Sequence, residues 1–355
     1  MNSASASNCV NSTIITYMDM CNNTNITGDK EEEIKCLGVA PIHPSVLIIY
    51  IIVNIVFHLT ATFSNGLFLL VMCKKKMKLS PTGILVMNLT IADLFNGLIL
   101  VPMMMYTRYF VPLYDQWGIL YDKEETQRAL CFVPLLLGTI TYVVSFTLLA
   151  AISLERFVGM MLYKSLDKKR AKIKAIFGGI IIWIYVSVLL IALFPKSFKY
   201  EQNLGCHLTL SVSSSLRDIL KPHLVIPLIL CIIFYTAIFF TIKKHRRTVN
   251  IETHNNPVNN MTHIHEARWV MTIFLVIVVF CGTWVPYYIA TAYIDHEECM
   301  VSWKKNVLYS TSTLAHISSV INPWIYTYRH AVYRKQVRKY VQKIRQFKCC
   351  TTQDS

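Results

Sequence analysis

Seven runs of apolar residues alternate with short polar stretches along this chain, at 45–73, 80–104, 129–157, 173–195, 218–243, 267–293 and 304–327. Each is near the ~20 residues that a helix needs to cross the hydrocarbon core of a bilayer. In lipid every backbone N–H and C=O must be satisfied within the protein, so such runs are read as helices. The pattern predicts an all-α membrane protein, a seven-transmembrane helix bundle spanning residues 45–327. A polar tail, 1–44, precedes it and lacks the apolar core of a signal peptide, which leaves the first run as the insertion signal. Behind it, Val332, Val337, Tyr340, Val341 and Ile344 line up against a basic face, predicting a short amphipathic eighth helix over 328–347 and then a cytoplasmic tail, 348–355.

Charge orients the bundle. Lys74, Lys75, Lys76 and Lys78, then Lys168, Lys169 and Arg170, then Lys243, Lys244, Arg246 and Arg247, and finally Arg334, Lys335, Arg338 and Lys339 fall in alternate loops. Asp115, Asp122, Glu124, Glu125, Asp295, Glu297 and Glu298 fall in the others. Basic loops stay in the cytosol, so the amino terminus is expected outside and the carboxyl terminus inside, in a multi-pass plasma-membrane protein. The net charge of +15 would suit nucleic acid, but its confinement to these loops excludes that partner. Composition agrees: 54% of residues are hydrophobic and 15% charged, against about 25% charged in soluble domains.

The outer tail carries glycosylation sequons at Asn11, Asn22 and Asn25. Cys349 and Cys350 follow the eighth helix, where acylation would add a second membrane anchor. Cys131 opens the third run and Cys206 lies in the outer loop between the fourth and fifth. A disulfide between them would tether that loop, although Cys9, Cys21, Cys36 and Cys299 also face the oxidising side and leave the pairing open.

Polar residues inside the runs carry the candidate chemistry. Glu155 and Arg156 close the third run, and Glu266 stands at the start of the sixth. An ion pair across two helix ends would pin them together, and a pin that opens is a switch. Asp93 lies in the second run and must find partners inside the bundle. Ser145, Ser318, Ser319 and Asn322 bring oxygens to the same depth, which suits a sodium ion, or else a protonated Asp93 in a hydrogen-bonded network. Phe280 and Trp284, four apart and so on one helix face, precede Pro286; Asn322-Pro323 closes the seventh run with Tyr326. Prolines at 102, 227, 286 and 323 interrupt the runs and bend helices.

In order and on the right spans, Asn65, Asp93, Cys131, Glu155-Arg156-Phe157, Trp183, Pro227 with Tyr235, Phe280 with Trp284 and Pro286, and Asn322-Pro323 with Tyr326 resemble the rhodopsin-like (class A) G-protein-coupled receptors over about residues 45–350. The resemblance implies a ligand pocket on the outer side and a heterotrimeric G protein on the inner side. It implies that Arg156 meets the G protein when released from Glu155 and Glu266, that Trp284 pivots, and that Tyr235 and Tyr326 move inward. Asp93, Ser145, Ser319 and Asn322 would form the sodium pocket, with no other cofactor. The family's Asp-Arg-Tyr triplet reads Glu155-Arg156-Phe157 here, which retains the acid and the arginine.

By the same resemblance the ligand pocket is lined by Tyr106, Gly138, Thr139, Tyr142, Tyr287, Tyr288, Thr291, Ser312 and His316. Gly138 replaces the aspartate of amine receptors, and His316 stands at the retinal lysine of opsins. Residues 315–329 and 226–230 look most like adenosine receptors, yet Thr291 replaces their adenine-binding asparagine and His207-Leu208-Thr209 departs from their outer loop. A tyrosine-rich pocket without charge predicts a small, uncharged ligand, nucleoside-like or lipid-like, with Asp122, Glu124 and Glu125 in a long outer loop as a lure for basic molecules.

Two other classes compete. A transporter or channel would use Asp93 as an ion relay, but no internal repeat is visible and seven spans do not halve. A receptor that only scavenges its ligand has no need of Glu155-Arg156. No nucleophile elbow or metal-ligand spacing points to an enzyme.

Overall fold

The computed structural model describes residues 42–73, 79–116, 124–161, 167–199, 206–252, 257–295, 302–329, 333–339 and 342, with 242–252 and 257–270 described as helical backbone only. The sequons at Asn11, Asn22 and Asn25, the cysteines at 9, 21, 36, 299, 349 and 350, and the Glu266 side chain lie outside the described residues.

Long helices cover all seven expected runs. They are α1 (Pro44–Met72), α2 (Pro81–Gln116), α3 (Glu124–Met161), α4 (Lys168–Ser197), α5 (Ser214–Glu252), α6 (Pro257–Asp295) and α7 (Ser302–Arg329). Local sequence sets several starts. Pro44 and Pro81 occupy first-turn positions where the missing N–H costs nothing. Ser80 Oγ accepts from Gly83 N at 3.0 Å, and Asp167 Oδ1 accepts from Lys169 N at 2.9 Å, capping α2 and α4. Hydropathy under-reads the helices: α3 already starts at Glu124, so Glu124 and Glu125 belong to its first turn rather than to a long loop. Acidic residues there complement the positive end of the helix.

α2 is not one regular helix. Its α-helical pieces Pro81–Phe95, Val101–Met105 and Val111–Gln116 are joined by π-helical turns at Asn96–Leu100 and Tyr106–Phe110. A proline follows each π-turn by two residues, Pro102 and Pro112. A proline ring collides with the carbonyl four residues back, and a turn wider by one residue makes room for it.

α3 runs through the centre, against α2, α4, α5 and α6, while α1, α2, α4, α5, α6 and α7 close a ring around it. Burial follows: 72% of the most apolar window of α3 is buried, against 17% for α4. α4 turns Ile181, Ile184, Val188 and Ile191 outward, the inverse of a soluble core and what a lipid-facing helix requires. Among the described residues six helices are long and apolar enough to cross a membrane. α7 is long enough but too polar, because His316, Ser318, Ser319 and Asn322 are buried inside the bundle rather than set against lipid.

A disulfide joins Cys131 to Cys206, with Cα atoms 5.5 Å apart. It holds the segment after α4 against α3, and the Phe198–Val212 bridge closes that segment on itself. At the other end residues 333–339 are helical. There Tyr333, outside the apolar face read from the sequence, is buried with its ring 5.3 Å from Phe68.

Close backbone approach marks one glycine. A Cβ on Gly97 would stand 3.0 Å from Ala61 Cβ and 3.2 Å from Thr62 N, where α1 crosses α2 and His58 donates to the Gly97 carbonyl. Gly97→Val should therefore cost about 1–3 kcal/mol by overpacking. Gly282, with nothing within 4 Å, should accept alanine at no cost or with a gain. Thermal denaturation of the two purified variants checks both.

Candidate functional site

Beneath the Cys131–Cys206 loop, α2, α3, α5, α6 and α7 enclose a cavity of about 300 Å³. Seven of the nine residues expected there line it: Thr139 and Tyr142 from α3, Tyr287, Tyr288 and Thr291 from α6, and Ser312 and His316 from α7. Trp284 forms the floor, and Leu208 and Thr209 of the one-turn helix Leu208–Ser211 form part of the cover.

Tyr106 and Gly138 are not on the wall. Met104 covers Gly138, its Cε 2.7 Å from where a Cβ would stand. Tyr106 opens the second π-turn, and the two wide turns rotate this end of α2 away from α-helical register. The same rotation brings in a residue that the sequence reading missed. Arg108 is buried, 4% exposed, and lines the cavity. Its Nε donates to the Cys206 carbonyl at 3.0 Å and its Nη1 to Ser312 Oγ at 2.9 Å. This overturns the expectation of a pocket without charge, and with it the ground for an uncharged ligand. The spacing of Pro102 and Pro112 was the available signal.

His316 is fully engaged by protein. Its Nδ1 faces the Ser312 carbonyl at 2.6 Å, so Nδ1 carries the proton, and Nε2 accepts from the Tyr142 hydroxyl at 2.8 Å. His207, in the loop above, is buried; burial first and the Arg108 charge second hold its imidazole well below the usual histidine range. It therefore stays neutral at physiological pH.

From the floor a run of rings leads inward. Tyr142 packs edge-on to Trp284 at 4.7 Å, Phe146 edge-on to Trp284 at 5.3 Å and to Phe280 at 4.5 Å. Phe146 was not singled out in the sequence, although it stands four residues from Tyr142 on the same helix face. Trp284 Nε1 donates to Ser318 Oγ at 3.2 Å.

Ser318 borders the next cluster. Asp93 accepts from Ser319 Oγ at 2.7 Å and from Asn322 Nδ2 at 2.9 Å, and Asn65 Nδ2 donates to the Ser319 carbonyl at 2.8 Å. A space of about 10 Å³ opens between Asp93, Ser145, Ser319 and Trp284, about the room one water or a small ion occupies. The buried amide oxygens of Asn96, which lines this space, and of Asn65 and Asn322, which lie outside its lining, have no hydrogen-bond partner among the described residues. A carboxylate with spare neutral oxygens is a donor set that fits a hard cation.

At the far end of α3, Arg156 Nε and Nη2 donate to Glu155 at 2.8 and 3.1 Å, and the Thr82 hydroxyl donates to the same carboxylate. Thr82 gave no sequence signal. Phe157, in place of the family's tyrosine, packs on Phe234 with ring centres 5.6 Å apart. The hydroxyls of Tyr235 and Tyr326 are buried without a hydrogen-bond partner among the described residues. Pro323 lies within α7, one residue after Asn322.

The chain matches the family described as 7 transmembrane receptor (rhodopsin family) over residues 64–326. It is 29% identical to adenosine receptor A2b of Gallus gallus over 130 residues, 36% of each chain. It is 22% identical to the ultraviolet-sensitive opsin of Apis mellifera over 324 residues, covering 84% of this chain and 80% of that one. Squid rhodopsin superposes with a TM-score of 0.68 at 18% identity, covering 84% of this chain and 81% of its own.

Removing the Tyr142 hydroxyl leaves His316 Nε2 buried and unpaired. Tyr142→Phe should cost about 1–3 kcal/mol, read as a lower melting midpoint of the purified protein.

Proposed function

The chain belongs to the rhodopsin family of seven-transmembrane receptors, and on that premise we propose that it relays the binding of a small extracellular molecule to a heterotrimeric G protein in the cytosol. The observation that carries this reading is the path of packed rings and hydrogen bonds from the cavity floor to the buried Asp93 cluster, with the Glu155–Arg156 pair at the inner end of the same helix α3. It passes through Tyr142, Trp284, Phe146 and Phe280, and then through Ser318 to the Asp93 cluster. A molecule pressing on Trp284 acts through packed rings and hydrogen bonds on the centre of the bundle, where α2, α3 and α7 meet, and α3 carries on from there to the inner end. Partners of different affinity for two such arrangements shift their balance, which is what signalling requires.

At the inner end Arg156 is held by Glu155, with Thr82 on the same carboxylate. Release of that grip would expose a fixed cation to the G protein, while the unpartnered hydroxyls of Tyr235 and Tyr326 supply new donors nearby. Retention of this pair favours a coupling receptor over a scavenger. The orientation follows the basic loops, with the cavity outside, the sequons at Asn11, Asn22 and Asn25 on the outer tail, and Cys349 and Cys350 at the inner leaflet for acylation. The likeness to adenosine receptor A2b covers only about a third of the chain and transfers no ligand.

The oxygens around Asp93 belong to this reading as a sodium site, with Asp93, Ser145, Ser319 and Asn322 as its holders. A bound cation would neutralise the carboxylate and steady the junction of α2, α3 and α7.

Two measurements test the proposal. Arg156→Ala should reduce GDP–GTP exchange on a co-expressed G protein to background while surface expression stays at the wild-type level; undiminished exchange would refute the coupling role. Replacing N-methylglucamine by sodium at constant ionic strength should raise the melting midpoint of the wild-type receptor and leave that of Asp93→Asn unmoved; an equal rise in both would remove the sodium site.

A further inference from the structure

Arg108 presents an imbalance that the receptor fold does not require. A guanidinium has five N–H donors and is charged at any physiological pH. Two of the five are taken, by the Cys206 carbonyl and by Ser312 Oγ, both neutral acceptors. No carboxylate pairs with it among the described residues, and none lines the cavity it faces. Burying a cation is costly unless it is paired. Most buried arginines sit against an acid, and this one sits against an opening.

The surroundings repeat the sign. Arg217 also lines the cavity and donates to the Thr209 and Val212 carbonyls of the cover. Lys221 stands there too, its charge matched by Asp218 at 2.7 Å. His207 is held neutral. Arg217 is only half-buried and Lys221 is exposed, with Asp218 beside both, so Arg108 is the buried cation of the lining, and low-dielectric walls focus its field on an entering anion.

We propose that the cavity takes a small organic carboxylate, its two oxygens on the remaining Nη1 and Nη2 donors of Arg108 and its apolar or aromatic body against Leu135, Tyr142, Trp284, Tyr287 and Tyr288. The planar fork of arginine matches a carboxylate bidentately. A single negative charge balances the single buried cation, which a phosphate monoester at −1.5 to −2, roughly, would exceed. The volume, near 300 Å³, is at the small end of ligand sites. This rests on the cavity being the ligand site of the proposed receptor, but the chemistry can be tested without any G protein.

The test is thermal denaturation of the full-length receptor in detergent micelles. The probes are benzoate, phenylacetate and indole-3-acetate, each against its primary amide, with phenyl phosphate as a further arm, at about 10 mM, roughly ten times the dissociation constant expected of such fragments. The acids should raise the melting midpoint by about 2 °C or more, and the amides should not. Arg108→Gln, which keeps a donor for Cys206, should abolish the acid effect. Arg108→Lys keeps the charge without the fork and should weaken the acid-over-amide preference at least about tenfold. Amides as effective as acids, an acid effect that survives in Arg108→Gln, or no acid effect from any probe would overturn the proposal. A larger shift with phenyl phosphate would overturn the carboxylate assignment. A receptor that binds the acids through Arg108 while Arg156→Ala leaves nucleotide exchange undiminished keeps this inference standing and refutes the coupling reading alone.

Discussion

The Asp93 carboxylate, tied to Ser319 and Asn322, is the interaction on which the bundle's interior depends. In lipid, helices gain little by burying apolar surface against one another, since the tails are as apolar as leucine. What makes one helix arrangement preferred is the need to satisfy polar groups away from water. One buried carboxylate in α2 dictates where α7 must lie, and Asn65 extends the same constraint to α1 through the Ser319 carbonyl. The outward-facing isoleucines of α4 only have to be greasy; the inward residues of α7 have to be placed.

The distribution of polar residues also puts the proposed signalling route and the bundle's internal hydrogen bonds on one set of atoms. Trp284 both closes the cavity and donates to Ser318, one residue from the partner of Asp93. On the proposed reading, a change in ring packing at the floor would act on the hydrogen bonding in the centre directly. Farther along α3, Glu155 holds Arg156 and also accepts from Thr82 of α2, so a better partner for the arginine would leave the glutamate anchored to α2.

Much of this was legible in the order of residues, because membrane insertion writes itself as hydropathy. The seven helices, the helix faces carrying Phe280 and Trp284, and the placement of Asp93 beside Ser319 and Asn322 all follow from period and depth. What escaped was what period cannot carry. Two π-turns in α2 shift the register, so Tyr106, counted onto the wall, is replaced there by Arg108. Met104 covers Gly138, which position alone had counted onto the wall. Thr82 reaches Glu155 across a helix boundary that no spacing rule spans. Glutamates 124 and 125 read as loop because hydropathy reports where lipid begins and not where a helix does. A reading by position holds where turns are uniform and fails one residue after they are not.

The polarity of α7 bears on how the molecule is made. Among the described residues six helices are apolar enough, by length and composition, to favour lipid on their own; the seventh, with its serines, histidine and asparagine, is more polar. It becomes stable in the bilayer only once its polar side meets the groups waiting on α1, α2 and α6.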